Sequence, residues 1–386
     1  MTLLSRHKDS LRNYMKIKIN RDSFQKVFQI AAAVAPSRSP KAILQNIKID
    51  ATPSEVVLTA TDTEVGVRLL VPDVEVTTNG SAVVPVTRLS MILRESNDEV
   101  LELEADSDKT LVIGKNSRFE LQGQNPDEFP EVVGFAEKDY FELESSVLQE
   151  LIKRTLFATD AESSRYALGG VLLEMDDEQV VAVGTDGRRL AKMQGPLNKV
   201  GNPETGGSTT IVPSRAMQLM ARMLPEGDAK VQLAARANDL LVKLEMGVFY
   251  SRLVEGRFPK WREVLPKRTD SIKVDIPVGP MYSALRQAAI VASDESRGID
   301  FTFNDGSLVL SNSTAEVGQS RVEMPVTFDA EELTITLDHR YLADFLKVLQ
   351  PDKTFTFDFE NAEQAAYCHT DDDYGYVIMP LSRDRR

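Results

Sequence analysis

The chain has 386 residues, of which 42% are hydrophobic and 27% are charged, and its net charge is −14 at pH 7. A domain usually holds roughly 100–200 residues, so this length predicts about two to four domains. A single cysteine, Cys368, excludes an intramolecular disulfide framework and a CxxC metal site. The acidic balance argues against a protein that binds nucleic acid over its whole surface, because phosphate contacts need Lys and Arg.

The N-terminal segment 1–14 lacks the apolar stretch of a secretory signal. No apolar run in the chain approaches the roughly 20 residues of a membrane span. We therefore expect no membrane association, and the lone cysteine fits a cytoplasmic location. Strand-like alternation begins at Met15, so residues 1–14 are predicted to be a disordered extension or an upstream mis-called start.

Each third of the chain opens with an alternating segment that is followed by an amphipathic helix pattern. The openings begin at Lys16, Tyr140 and Ser271. Two strand-like runs around a turn come next, over 55–71, 179–193 and 307–324. The second helix patterns start at Pro85, Pro213 and Asp338, residue types that suit a helix N-terminus. A period of two indicates strands and the i, i+3, i+4 spacing indicates helices, and further alternating strands close each third.

The unit β-α-β-β-β-α-β-β-β therefore occurs three times, at a period of about 126 residues. Three unrelated α+β domains of similar size are the alternative, but the shared element order and near-constant spacing favour a repeat. The predicted domains are 15–137, 138–268 and 269–386. Their boundaries fall shortly after two Phe-Pro pairs, at 129–130 and 258–259.

Positive charge is concentrated in the helix patterns. The segments counted are 22–38, 87–95, 145–159, 214–224, 280–292 and 339–349. Together they hold eleven Lys and Arg but four Asp and Glu, whereas the rest of the chain holds 34 and 55. Helices commonly expose Lys and Arg, but Glu is an equally good helix former and is scarce here. The segregation predicts a positive helical face, which suits a polyanion that is met without base readout.

Motifs of catalysis and of metal or cofactor binding are missing, so we predict no catalytic residues, no metal and no cofactor. HExxH, Cys/His clusters and phosphate-binding glycine loops do not occur. The acidic run 371–373 could bind a hard cation, although its flanking strands favour a solvated hairpin loop. The TDGR segment at 185–188 resembles a catalytic Asp loop, but Asp-Gly between alternating runs is a strong hairpin-turn signal.

Four stretches carry a family resemblance: TDGRRLA (185–191), LVEGRFPKWREVLPK (253–267), AAIVASDESRGI (288–299) and YVIMPL (376–381). With them, the span from Met15 to Leu381 resembles the bacterial replicative sliding clamps, the beta subunits of DNA polymerase III. The resemblance implies an α+β fold of three pseudo-repeated DNA-clamp domains, with helices inside and antiparallel sheets outside, that closes into a ring as a homodimer. It implies a processivity factor that encircles double-stranded DNA and has no active site, although it can carry the polymerase (nucleotidyltransferase, transferase) label of its holoenzyme.

The resemblance also implies a groove for short peptide motifs of the replicative polymerase alpha subunit, the clamp loader, other polymerases and repair proteins. The matching positions are Leu168, Thr185, Gly187, Arg188, Arg189, Leu190, Pro259, Val264, Tyr341, Met379, Pro380 and Leu381. Apolar side chains and a flexible Met suit a Leu or Phe anchor, although Leu168 and Val264 would also suit an ordinary core. The sequence departs from the family pattern at Ala167, Glu263, Ser296 and the Leu381-Ser382 tail, which alters the rim of the groove.

Two further sets of residues follow from the resemblance. The implied DNA-binding residues are Arg38, Arg88, Arg165, Tyr166 and Arg215, each of which could instead be an ordinary surface side chain. The implied dimer interface packs Phe119 and Leu121 against Ile290 and Val291, although these residues also suit a core. Two other hypotheses stay open: an enzyme of nucleic-acid metabolism in which Asp186 holds Mg²⁺, and a monomeric scaffold.

Overall fold

The computed structural model of the chain describes residues 14–106, 108–160, 166–204, 210–268, 271–293, 296–314 and 317–381. Within these ranges the helices are α1 (Arg21–Val34), α2 (Val86–Glu95), α3 (Ser145–Thr155), α4 (Ser214–Ala221), α5 (Trp261–Val264), α6 (Val278–Ala288) and α7 (His339–Val348). The predicted extension 1–14 lies outside the described residues except for Tyr14.

The strands follow the three sequence repeats. The first repeat holds β1 (Met15–Asn20), β2 (Asn46–Ala51), β3 (Val56–Thr61), β4 (Val65–Leu70), β5 (Val74–Thr78), β6 (Gly80–Pro85), β7 (Val100–Ala105), β8 (Lys109–Ile113) and β9 (Arg118–Gln122). The second holds β10 (Tyr140–Glu144), β11 (Gly170–Met175), β12 (Gln179–Thr185), β13 (Arg189–Pro196), β14 (Asn198–Val200), β15 (Ile211–Pro213), β16 (Lys230–Ala235), β17 (Asp239–Leu244) and β18 (Gly247–Arg252). The third holds β19 (Ile272–Pro277), β20 (Gly298–Asn304), β21 (Ser307–Thr314), β22 (Gly318–Pro325), β23 (Leu333–Asp338), β24 (Thr354–Phe359), β25 (Ala366–His369) and β26 (Gly375–Ile378).

The predicted repeat is confirmed in its order, but its strand count is wrong. In the described residues, five, five and four strands separate the two long helices of the first, second and third repeats, where the outline has three. Two of the missed strands, β14 and β15, have three residues each, and such a strand is too short to show a period of two. The predicted helix starts at Pro85, Pro213 and Asp338 are confirmed, since each residue directly precedes a helix.

Helix α1 shows how the local sequence sets an element. The Asn20 side chain accepts a hydrogen bond from the Ser23 amide at 3.0 Å and caps the helix N-terminus. The buried positions Phe24, Val27, Phe28, Ala31 and Val34 recur at helical spacing and form the face that packs on the sheet. The helix ends at Val34 because Pro36 disfavours helical geometry in the residue before it. Burying each of its two Phe side chains contributes roughly 1.5–3 kcal/mol.

The first compact unit comprises Met1–Ser146, Asn198–Thr205 and Gln218–Leu253. It contains a five-stranded sheet in the order β5-β1-β7-β8-β9 and a nine-stranded sheet in the order β14-β10-β16-β17-β18-β4-β3-β2-β6. All of the pairings are antiparallel, and the β18–β4 ladder joins strands of the second repeat to strands of the first. Helices α1 and α2 pack against each other in this unit.

The second compact unit comprises Val147–Leu197, Gly206–Met217 and Val254–Arg386. Its eight-stranded sheet has the order β15-β11-β12-β13-β26-β25-β24-β19, and its four-stranded sheet has the order β22-β21-β20-β23. Here the antiparallel β13–β26 ladder joins the second repeat to the third. A large buried cluster that is rich in Phe and Tyr lies between these strands and helices α6 and α7.

Candidate functional site

The turn between β12 and β13 is held by its own side chains. Thr185 Oγ1 donates to the Arg189 carbonyl at 2.6 Å and accepts from the Gly187 amide at 3.1 Å. Asp186 Oδ1 accepts from the Arg188 and Arg189 amides at 2.8 and 3.0 Å. Gly187 has φ +85°, a conformation that glycine adopts without steric cost. The predicted hairpin turn is confirmed. The Asp186 carboxylate stabilises that turn, and it belongs to no metal-binding cluster among the described residues.

Arg189 extends from this turn, and each of its three side-chain nitrogens donates a hydrogen bond. Its Nε donates to Asp186 Oδ2 at 2.9 Å, its Nη1 to Asp344 Oδ2 at 2.8 Å and its Nη2 to the Phe157 carbonyl at 2.7 Å. The guanidinium carbon lies 4.5 Å from the centre of the Tyr341 ring and 5.5 Å from that of Phe157, within cation–π range. Only 10% of the Arg189 side chain is exposed, so its position is set from several directions.

Arg189 keeps its charge in this surrounding. Burial alone would lower the pKa of Arg189, but its interactions with Tyr376, Asp344 and Asp186 outweigh burial and raise the pKa above its ordinary value. Tyr376 also contacts the helix that carries Tyr341, because its hydroxyl donates to the Tyr341 backbone carbonyl at 3.0 Å. The Tyr341 ring and the Arg189 guanidinium, held by these contacts, together form one wall of the site.

The C-terminal segment lies beside the same turn. Strand β26 pairs with β13, and the Met379 amide continues this pairing by donating to the Arg188 carbonyl at 3.0 Å. The Leu381 amide donates to the Thr336 carbonyl at 2.8 Å. The backbone is thus fixed while the side chains stay available, since Met379 is 45% and Leu381 is 39% exposed. An exposed Met with a held backbone is an adaptable apolar contact.

An apolar cluster of the second compact unit includes one of the remaining predicted groove residues. Leu190, Phe258 and Trp261 belong to it, and Ala167 and Leu265 pack against it. Of the predicted groove residues, Leu168, Leu190 and Thr185 are buried, Tyr341 and Pro380 are half-buried, and Pro259 and Val264 are exposed. Leu168 therefore fits the core alternative, whereas Val264, at 45% exposed, does not. Predicted residues meet in the turn, in the pairing of Thr185 with Leu190, and in the contacts of Arg189 with Tyr341 and of Met379 with Arg188.

Two contributors to this site are absent from the sequence-based prediction. Asp344 and Phe157 both contact Arg189, yet neither lies in one of the motifs. Asp344 follows Tyr341 by three residues on α7, so helical spacing could have placed both on one face. Of the departures from the family pattern, Glu263 is exposed and pairs with Lys260 at 3.2 Å.

The predicted DNA-binding residues are only partly described. Arg38, Arg88 and Arg215 are exposed, with Arg88 in the first turn of α2 and Arg215 in that of α4. Arg165 lies outside the described residues, and Tyr166 is described only as the start of a short 3₁₀ turn. Three further helix-associated cations, Lys26, Arg222 and Arg286, are also exposed. The described helices therefore do expose positive side chains to solvent.

The four predicted interface residues lie at two sheet edges. Phe119 and Leu121 are on β9, an edge strand of the five-stranded sheet, and are 41% and 9% exposed. Ile290 and Val291 lie in the 3₁₀ turn that follows α6, and that turn packs on β22, an edge strand of the four-stranded sheet. Ile290 is 76% exposed, the largest exposure among the large apolar residues in the described part of the chain.

Acidic residues form no metal cluster in the described part of the chain. The run 371–373 lies between β25 and β26 as a hairpin loop, as predicted. Its central residue, Asp372, pairs with Arg154 at 2.6 Å. Among the described residues, no helix is both long and apolar enough to span a bilayer.

Known proteins match this chain over nearly its full length. Residues 15–133, 142–260 and 262–382 match the N-terminal, central and C-terminal domains of the DNA polymerase III beta subunit, respectively. The beta sliding clamp of Pseudomonas putida is 29% identical over 371 residues, which cover 95% of this chain and 100% of that protein. The beta sliding clamp of Chlamydia trachomatis is 29% identical over 337 residues, which cover 87% and 80%.

Solved structures agree. The crystal structure of the DNA polymerase III subunit beta from Pseudomonas aeruginosa has a TM-score of 0.87 at 28% identity, and the match covers 95% of this chain and 100% of that one. The sliding clamp of Bartonella birtlesii, solved with bound griselimycin, has a TM-score of 0.87 at 28% identity, with 96% and 100% covered. The chain belongs to the DNA polymerase III beta subunit family, the beta sliding clamps, and has their three-domain fold of antiparallel sheets and helices.

Proposed function

We propose that this protein is a DNA sliding clamp, which encircles duplex DNA and tethers the replicative polymerase to it. As a member of its family it is a processivity factor and not a catalyst. The observation that carries the proposal is the match of all three domains in order, over 15–382. Tethering raises the effective concentration of the polymerase at the primer end without any sequence-specific contact.

The three domains are proposed to span 15–137, 138–268 and 269–386. The duplex would be met by the helices, with Arg38, Arg88, Arg165, Tyr166 and Arg215 facing its backbone. The solvent-exposed positive side chains of the described helices support this assignment. Contacts to phosphates alone carry no sequence information, so the ring can slide.

The partner site is proposed to be the groove defined above by its twelve residues, from Leu168 to Leu381. It would take short peptide motifs of the polymerase alpha subunit, of the clamp loader, and of other polymerases and repair proteins. The exposed Met379 and Leu381 and the packed pair of Arg189 and Tyr341 support this proposal. An apolar anchor residue of a peptide binds best in a well-packed pocket from which water is largely excluded.

Ring closure is proposed to need a second copy of the chain. Phe119 and Leu121 of one copy would pack against Ile290 and Val291 of the other, in a two-fold arrangement that forms the same contact twice. The exposure of Phe119 and Ile290 supports this pairing. Ile290→Asp is expected to shift the solution mass from dimer to monomer, whereas Met91→Asp, at an exposed apolar residue of helix α2, leaves a dimer. The cytoplasm is the proposed location, since replication takes place there.

A primer-extension assay on a long primed circle tests the function. The replicative polymerase with its clamp loader and ATP is expected to make much longer products per binding event when this chain is present. The chain by itself is expected to incorporate no nucleotide. Product lengths that do not change on addition of the chain would overturn the proposal, and incorporation by the chain alone would revive the enzyme hypothesis.

A further inference from the structure

We propose that Asp344 is a positioning residue of the peptide groove, which holds the Arg189 guanidinium over the Tyr341 ring so that this wall is formed before a partner binds. The inference rests on the proposed function, because it concerns the same groove. It extends it to a residue that need not touch the peptide. The carrying observation is that Asp344 links helix α7 to the turn through one charge-assisted hydrogen bond of 2.8 Å.

Asp344 holds the terminal nitrogen Nη1 of the Arg189 guanidinium. Asp186 comes from the same turn as Arg189 and binds Nε, so it fixes the stem of the side chain. Asp344 binds Nη1 from a different element, the helix that also carries Tyr341. Because Tyr341 and Asp344 are three residues apart on α7, one helix face supplies both the ring under the cation and the anion at its edge.

A preformed wall matters because arginine has many rotamers. An Arg189 side chain without its outer partner would have to be ordered when a peptide binds, and that ordering would weaken the observed affinity. Lys347 also reaches Asp344, with Nζ 3.3 Å from Oδ1, but this lysine is half-exposed and is not part of the wall. The carboxylate of Asp344 therefore serves the groove chiefly through Arg189.

The test uses the full-length chain and a fluorescein-labelled peptide that copies the clamp-binding tail of the polymerase alpha subunit from the same cell. Fluorescence anisotropy of wild type, Asp344→Asn, Asp344→Glu, Arg189→Ala and the double variant Arg189→Ala/Asp344→Asn gives the dissociation constants. Asp344→Asn is expected to weaken binding by about three- to tenfold, and Asp344→Glu to restore most of it. In the Arg189→Ala background, Asp344→Asn is expected to change the affinity by less than about twofold.

Asp22→Asn is the matched control, because Asp22 also pairs with an arginine at 2.8 Å on a helix but lies remote in sequence from the groove. Its affinity should equal that of wild type. Solution mass and melting temperature are measured for each variant, so that unfolding is not mistaken for lost binding. A purely structural role would lower the affinity equally with and without Arg189, and that result would overturn the proposal.

The two proposals fail differently. If wild type does not bind the peptide, the groove itself is misplaced and the positioning role falls with it. If wild type binds and Asp344→Asn binds as tightly, the groove stands and the positioning role is wrong. If Asp344→Asn weakens binding, Asp344→Glu rescues it and the effect vanishes without Arg189, the positioning role is supported.

Discussion

Two hairpin turns of this chain, at 61–65 and 185–189, have the same hydrogen-bond pattern but differ in the side chains that they present. In the first, Thr61 Oγ1 donates to the Val65 carbonyl at 2.7 Å and accepts from the Thr63 amide at 2.9 Å. Asp62 Oδ1 accepts from the amides of the last two turn residues at 3.0 and 2.7 Å. The second turn repeats every one of these bonds. The Thr-Asp pair therefore makes the turn, and the residues after it decide its use.

The two turns differ at their last three positions, and two of these differences change what the turn presents. Thr63, with φ +81°, stands where the second turn has Gly187, and Val65, 3% exposed, stands where it has Arg189. Val65 is absorbed by the core, whereas Arg189 reaches out to Tyr341 and Asp344. A shared fold element thus becomes part of an interaction site through one side chain.

The segment that lies beside each turn differs as well. Deleting the segment beside the second turn should have the largest effect on peptide binding. In each turn the carbonyl of the fourth residue accepts a backbone hydrogen bond from the neighbouring segment. The Arg252 amide donates to Glu64 at 2.8 Å, and the Met379 amide donates to Arg188 at 3.0 Å. Deleting residues 379–386 is expected to weaken polymerase-peptide binding by roughly 100-fold or more, since two exposed apolar anchors are lost. Deleting only 382–386 is the control, with an expected change of less than about threefold. A truncated dimer that binds as wild type would contradict the assigned groove.

Arg189→Ala is expected to have the next largest effect on binding. It removes the cation from Tyr341 and leaves two carboxylates without it, so peptide affinity should fall roughly 30-fold. Val65→Ala, at the equivalent position, should cost about 2 kcal/mol in the free energy of unfolding but leave affinity unchanged. Anisotropy and urea denaturation separate the two. Loss of affinity in both variants would show that the turns do not differ in use.

The two threonines should behave alike in stability. Thr61→Val and Thr185→Val each remove a buried hydroxyl that makes two bonds, and each is expected to cost about 2 kcal/mol. Urea denaturation measures both. A cost at only one position would break the equivalence of the turns.

The smallest effect is expected at the third turn residue. Thr63 is β-branched and holds a left-handed conformation, so Thr63→Gly should raise the free energy of unfolding by about 1 kcal/mol. Gly187→Ala should lower it by a similar amount. Melting temperatures of both variants check the sign, and a stabilising Gly187→Ala would contradict the reading of this position.

Strong periodicity explains why much of this fold was predictable. MKIKI, the α1 pattern and the second helices have clear periods and N-terminal signals, and the Asp-Gly turn carries its own chemistry. Strands such as β14 and β15 are fixed by their sheet neighbours and leave no periodic trace. Asp344 was missed for a related reason, since it reaches Arg189 only when the second and third repeats share a sheet. Phe157 lies in the same repeat as Arg189, and its contact arises when the 3₁₀ turn after α3 packs on β13.

Retention on DNA tests the central claim most directly. The chain is loaded by the clamp loader and ATP onto a nicked circular plasmid, and the plasmid is then isolated by gel filtration before and after one restriction cut. A topological ring predicts that the protein stays with the intact circle and is released from the linear molecule, because it slides off the ends. Equal retention on both forms, or equal loss from both, would contradict the account.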